Sequence, residues 1–234
     1  MNRFTTILWD VDGTLLDFSY SQNYAIRKCF QTIGEPITEE IIDRYSRIND
    51  SFWKRLEKKE ITREELLPGR FLQLFKEYHI EGVDIKAFMK EYQESLGNVY
   101  SFQDDALTIL TALHGHIKQY VVTNGVTATQ ERKLRLSGIF NLMDGVFISE
   151  QLGADKPGEV FFQKALEQVC EPDRNKILIV GDSLSSDILG GARAGIVTCW
   201  YNPKGQENTM DITPDYEIQD LHQIYEVLEI IKGG

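Results

Sequence analysis

The sequence predicts an α/β fold, a parallel sheet carrying an inserted four-helix bundle. Two observations lead there. Beyond residue 103, short apolar runs of strand length alternate with amphipathic stretches of helix length, the pattern of parallel strands with helices on both faces. Between a first strand at Ile7-Leu8-Trp9 and a second beginning near Ile117, about a hundred residues intervene. A crossover between neighbouring parallel strands needs about a dozen, so much of that span is an inserted domain.

The elements follow in order. The first strand is an apolar run that stops abruptly on Asp10 and Asp12, and Gly13 then lets the backbone turn closely. The insert reads as helical throughout. Ile26, Cys29, Phe30 and Ile33 form one apolar stripe, and Ile41, Tyr45, Ile48, Phe52 and Leu56 a second. Leu67, Phe71, Leu74, Phe75 and Tyr78 form a third, opened by a capping box at Thr62 and Glu65; Ile85, Phe88, Met89, Tyr92 and Leu96 form the fourth. Four amphipathic helices with short breaks make a small bundle over residues 18–96, leaving 1–17 and 97–234 for the sheet domain. There, helices are expected at 104–114, 127–137, 160–169 and 185–194, and strands at 117–123, 146–149, 177–180, 196–200 and 216–218. Thr127 with Gln130, and Asp220 with Gln223, have the spacing to cap their helices reciprocally. Gly190-Gly191-Ala192 allows a helix to pack closely on the sheet.

Composition bounds the function. The 234 residues are 42% hydrophobic and 26% charged, ordinary for a soluble globular protein. No apolar run approaches the roughly 18 residues that span a bilayer, and no secretory leader is evident, so a cytoplasmic location without membrane attachment is expected. A net charge of -11 with scattered Lys and Arg repels a nucleic acid polymer but leaves a small phosphorylated partner open, since local cations and a metal decide that binding. Cys29, Cys170 and Cys199 are far apart and read as reduced thiols. The oligomeric expectation is a monomer or small homo-oligomer.

The chemistry lies at the strand ends. Asp10 and Asp12 suggest metal-assisted attack by one carboxylate, with the second handling a proton; as an isolated string they equally make an Asx turn. Thr123-Asn124-Gly125 can donate hydrogen bonds to a phosphoryl oxygen or simply turn the chain. Lys156-Pro157 offers a cation at a loop–helix junction, with the proline suited to a first helical turn; a solvated surface charge is the plainer alternative. Gly181-Asp182-Ser183 places another acid at a strand end, and Asp187 either reaches back to it or opens the next helix. Each signal is modest alone. Acids, a hydroxyl and a lysine at four successive strand ends of one sheet edge make an active site.

Asp10-Val11-Asp12-Gly13-Thr14, Thr123-Asn124-Gly125, Lys156-Pro157 and Gly181-Asp182-Ser183 with Asp187 resemble the four motifs of the haloacid dehalogenase superfamily, in order and spacing across the whole chain. The resemblance implies a Rossmann-like, haloacid dehalogenase-like core with a helical cap inserted after the first motif, and Mg²⁺-dependent phosphatase chemistry through an aspartyl-phosphate. It makes Asp10 the nucleophile and a metal ligand, and Asp12 the general acid/base whose backbone carbonyl also binds Mg²⁺. Asp182 would complete the protein's metal ligands. Thr123, Asn124 and Lys156 would hold the phosphoryl oxygens, and Asp187 and Ser183 would support them. Asp12 favours phosphate esters, because the dehalogenases that name the group lack this second acid.

Within the superfamily the chain is most similar to the intracellular pyrimidine 5'-nucleotidase branch, through the stretches 148–157, 187–202 and 53–71. That implies a nucleoside monophosphate substrate such as UMP, dUMP or dTMP. Phe18, Asn49, Trp53 and Arg70 are the candidate specificity residues: an aromatic to stack on a base and an amide to read its edge, against the alternative that Trp53 belongs to the bundle core and Asn49 to solvent. Other readings are a phosphatase or phosphomutase for another small metabolite, such as a sugar phosphate or phosphoglycolate, and a receiver-like domain that accepts phosphate without turnover.

Overall fold

The computed structural model describes residues 3–229. These fall into two compact units, one made of the chain up to Asp17 and from Ser101 onward, the other of Phe18–Tyr100. The helical unit therefore extends past the expected 96, because its last helix ends at Gly97 and residues 98–100 stay with it.

Among the described residues, the sheet unit contains six parallel strands in the order β3-β2-β1-β4-β5-β6. They are β1 (Thr6–Trp9), β2 (Lys118–Thr123), β3 (Gly145–Ile148), β4 (Ile177–Gly181), β5 (Val197–Tyr201) and β6 (Tyr216–Ile218). β1 is flanked by β2 and β4, with Trp9 in register with both Val121 and Val180. Its strands read as apolar runs because both faces are covered. Ile7, Trp9, Val121, Leu178 and Val180 pack on one side; Leu8, Tyr120, Val122, Ile177 and Ile179 pack on the other. Helix α5 (Ala106–Leu113) supplies Ile109, Leu110 and Leu113 to the first side, and α8 (Glu159–Leu166) supplies Phe161 and Phe162 to the second. Burying each such side chain contributes about 1.5–3 kcal/mol.

The segment expected to be one helix at 185–194 is instead a π-helical turn, Leu184–Ile188, running into α9 (Leu189–Arg193). A Cβ on Gly191 would lie 2.5 Å from Ile179, so the glycine does permit the close helix–sheet approach. Helix α6 (Thr127–Leu136) corrects a second expectation. Its N-cap is Val126, without a side-chain cap, because Gln130 turns elsewhere and the Thr127 N–H donates to Glu150 Oε2 at 2.7 Å. Both other capping boxes form, at Thr62/Glu65 and at Asp220/Gln223. Helix α7 (Ser149–Leu152) and α10 (Ile224–Val227) complete the unit.

The helical unit contains α1 (Phe18–Ile33), α2 (Glu39–Glu57), α3 (Arg63–Glu77) and α4 (Ile85–Gly97). The four apolar stripes meet in one core in which Tyr45 stacks on Phe71 at 5.4 Å and Phe71 meets Tyr92 and Phe88 edge-on. All three cysteines are free thiols, Cys29 and Cys199 buried and Cys170 exposed. No described helix is long and apolar enough to cross a membrane.

Candidate active site at the carboxyl edge of the sheet

The strand order reverses direction at β1: β2 and β3 extend to one side, β4 to β6 to the other. A crevice forms at such a switch point, outside the carboxyl ends of the strands. Asp10 follows β1 directly, and its N–H still donates to Val180 O of β4 at 2.9 Å. The chain then coils tightly, with Leu15 and Leu16 N–H both donating to Val11 O. Gly13 sits at φ +100°, and a Cβ there would lie 2.4 Å from an Asp182 carboxylate oxygen. This glycine is required twice over, by its backbone and by the acid packed against it.

Thr14 ties the two acidic loops together. Its hydroxyl donates to Asp10 Oδ2 at 3.1 Å and accepts from the Asp182 N–H at 3.1 Å. Trp200 of β5 also reaches this point, its indole N–H donating to Asp182 O at 2.9 Å.

Lys156 is buried at the centre. Its ammonium donates to Asp10 Oδ1 (2.8 Å), Asp187 Oδ1 (2.6 Å) and Val122 O (2.8 Å), which uses all three of its protons. The Asn124 amide fixes the lysine's backbone from both sides, donating to Lys156 O and accepting from Lys156 N–H. Pro157 does not enter a first helical turn as expected: α8 begins two residues later, after a turn closed by Gly158 N–H to Asp155 O, and the Lys156–Pro157 peptide is cis. Asp187 lies in the π-helical turn, where its Oδ2 accepts from the Ser183 N–H, while the Ser183 hydroxyl caps Ser186. Thr123, buried at the end of β2, accepts from the Gly125 N–H at 3.1 Å.

Carboxylate oxygens of Asp10, Asp182 and Asp187 lie within 4.8 Å of one another. Three carboxylates against one ammonium leave negative charge uncompensated. Its signature is electrostatic. Burial, opposed by Lys156 and reinforced by the Asp187 charge, pushes the Asp10 carboxyl from its ordinary 3.8 up to about 7. Burial of the strand end, together with the Asp10 and Asp187 charges, raises Asp182 as well, although that residue opens onto solvent. For Lys156, burial pulls downward, but Asp10 and Asp187 outweigh it and hold the ammonium above its usual range. A hard divalent cation bound by clustered carboxylate oxygens is the group that fits this donor set and would relieve its repulsion.

Asp12 is placed differently. Two residues of α6 hold it: Lys133 Nζ donates to Oδ1 at 2.7 Å, and Gln130 Nε2 donates to Oδ2 at 2.5 Å. Nothing in the local sequence marks these two as site residues.

A model of haloacid dehalogenase-like hydrolases matches residues 4–195 of this chain, most of its length. The chain belongs to that family. Among its relatives, the pyrimidine 5'-nucleotidase PynA of Streptococcus pneumoniae is 35% identical over 95% of this chain and 94% of its own length. The pyrimidine 5'-nucleotidase YjjG of Escherichia coli is 32% identical over 97% of this chain and 98% of its own length. A crystal structure of the HAD-hydrolase YfnB from Bacillus subtilis, bound to magnesium, superposes with a TM-score of 0.93 at 36% identity, covering 97% of this chain and all of that one. As a haloacid dehalogenase-like hydrolase the chain is an enzyme.

The candidate specificity residues lie in the helical unit. Asn49 and Arg70 are not at its surface: both are buried, and Arg70 Nη1 donates to Asn49 Oδ1 at 2.6 Å, linking α2 to α3. Asn49 is therefore neither solvated nor open. Arg70 also lies 4.8 Å over the Phe71 ring and 5.0 Å over that of Tyr92. Trp53 and Phe18 are half-buried against the helical core, and the Arg63 guanidinium sits 5.7 Å over the Trp53 ring.

Proposed function

We propose that this chain is a cytoplasmic, Mg²⁺-dependent phosphomonoester hydrolase that works through an aspartyl-phosphate on Asp10 and acts on pyrimidine nucleoside monophosphates. The observation that carries the chemistry is the joint placement of Asp10, Lys156, Asp182 and Asp187 with a second acid, Asp12, two residues from the first. The substrate class rests on the pyrimidine 5'-nucleotidases that align along nearly the whole chain.

Asp10 is the nucleophile in this reading. Its Oδ1 is held by Lys156 and its Oδ2 by Thr14, so the carboxylate is oriented before substrate arrives. Asp10 and Asp182, with the Asp12 carbonyl, would hold Mg²⁺, and Asp187 stands beside them to support a water of its shell. When bound, Mg²⁺ supplies positive charge that lets a dianionic phosphate approach a carboxylate. Lys156, Thr123 and the Asn124 backbone hold the phosphoryl oxygens, Lys156 exchanging part of its bonding to the acids for bonding to phosphate. Asp12 donates its proton to the leaving ester oxygen as the P–O bond breaks. It then takes a proton from the water that hydrolyses the Asp10 phosphate.

Of the four candidate specificity residues, the half-buried Trp53 and Phe18 are the ones that would stack on a base in this reading. Asn49 and Arg70 act in this reading by fixing α2 against α3 rather than by touching substrate. A panel of UMP, dUMP, dTMP, sugar phosphates, phosphoglycolate and p-nitrophenyl phosphate, assayed with Mg²⁺ and with EDTA, tests the whole proposal. Mg²⁺-dependent turnover with the pyrimidine nucleotides preferred is expected. Equal or better turnover of sugar phosphates would remove the nucleotide assignment, and no turnover of any ester would remove the phosphatase.

A further inference from the structure

Lys133 is the third buried lysine-to-acid contact of this edge, and none of the four motifs contains it. Its side chain is fully buried, while that of Asp12 is 21% exposed. Lysine is almost never fully buried without a partner, since its charge then loses the solvation of water. Here the partner is the proposed acid/base, 121 residues away in sequence. Gln130, one turn earlier on the same face of α6, takes the other oxygen of the same carboxylate. The chain makes room for this. A Cβ on Gly125 would lie 2.2 Å from Gln130 Nε2, so the glycine of Thr123-Asn124-Gly125 opens the path by which the amide reaches Asp12. The start of α6 is itself anchored by the bond from Thr127 N–H to Glu150.

We propose that Lys133 and Gln130 are the positioning pair that aims the Asp12 carboxyl at the leaving-group oxygen, an inference that rests on the phosphatase reading above. Two donors, one on each oxygen, define the plane and direction of the carboxylate; one alone would leave it free to rotate. Their roles differ. Lys133 can only donate, so the oxygen it holds, Oδ1, is unsuited to carry the transferable proton. Gln130 can serve either form, because a protonated Oδ2 keeps a lone pair that accepts from Nε2, leaving its O–H to face the leaving-group oxygen. In the first half-reaction the Oδ2–H bond of Asp12 breaks as the alcohol oxygen leaves phosphorus and takes that proton. The resulting carboxylate is received by Lys133 and Gln130. In the second half-reaction Oδ2 regains a proton from the attacking water.

Aim matters only where the leaving group needs a proton. An alkoxide leaves poorly without one; p-nitrophenolate leaves well. Lys133→Met keeps the apolar stem and removes the donor. It is expected to lower kcat/KM by about 10- to 100-fold on the alkyl phosphate that the wild-type enzyme hydrolyses fastest, and by less than about 3-fold on p-nitrophenyl phosphate. Lys133→Arg should recover part of the loss on the alkyl ester. Gln130→Met, which leaves the ion pair in place, should show the same selectivity at about 10-fold and stands in should Lys133→Met fail to fold. Equal losses on both esters, or none on either, would overturn the positioning role and leave the phosphatase assignment intact. A wild-type protein that hydrolyses neither ester would overturn both.

Discussion

Lys156 and Arg70 are both buried cations, and their surroundings differ in kind. Lys156 gives its three protons to Asp10, Asp187 and a carbonyl at the sheet edge, inside a group of acids that it does not neutralise. Arg70 sits in the helical unit against one amide, one carbonyl and two aromatic rings. The first arrangement is electrostatically unfinished, with Asp10 and Asp182 both pushed upward by burial and by their neighbours' charge. The second has no cluster of like charges: one guanidinium is held by two hydrogen bonds and by cation–π contact. Several like charges crowded together, with ionisation pushed from its ordinary range, point to a functional edge; a single cation packed on rings and amides points to a structural role.

Substitutions at the edge should therefore remove activity while doing little harm to the fold. Asp10→Asn is expected to lower kcat by more than about 10⁴-fold, because an amide is a poor nucleophile, and Asp12→Asn by about 10²- to 10⁴-fold. Steady-state assays beside thermal unfolding would measure both, and wild-type turnover in either variant would remove that acid from its role. Arg70→Met reverses the pattern. It leaves Asn49 without its buried donor and should destabilise by about 1–3 kcal/mol, with kcat within about 3-fold of wild type. A selective loss of kcat without a loss of stability would move Arg70 from the packing side of the comparison to the catalytic side.

The smallest effect is the pH dependence of the metal-free protein. Asp10 has its ordinary value of 3.8 when unfolded and about 7 when folded, so over that interval the native state binds more protons. Its contribution to stability is thus fully present below the unfolded value and is lost as pH rises through about 7. In EDTA the unfolding midpoint should fall between about pH 4 and 7, and excess Mg²⁺ should flatten the slope. A profile in EDTA that is already flat would mean that the edge is not in electrostatic excess.

Much of this arrangement was legible in residue order. Apolar runs covered on both faces mark β1 and β4, the long gap after Asp12 marks an insertion, and stripes at helical spacing mark its four helices, because burial on a known period writes itself into the sequence. Asp10, Lys156, Asp182 and Asp187 could be gathered because strand ends of one parallel sheet share an edge. Cap signals were less secure. Thr62/Glu65 and Asp220/Gln223 form their boxes, but Thr127/Gln130 does not, since a stronger partner for Gln130 arrives from far along the chain.

The sequence by itself determined the parallel sheet, the inserted helices and the family, since local periodicity and strand-end chemistry are properties of neighbouring residues. Only the tertiary structure decided that Lys133 and Gln130 hold Asp12, that Thr14 joins Asp10 to Asp182, and that Asn49 and Arg70 pair inside the helical core. Those contacts join residues up to 168 positions apart. Whether a lysine or an arginine meets solvent, an acid or a ring depends on which distant segment folds against it, and no local pattern carries that information.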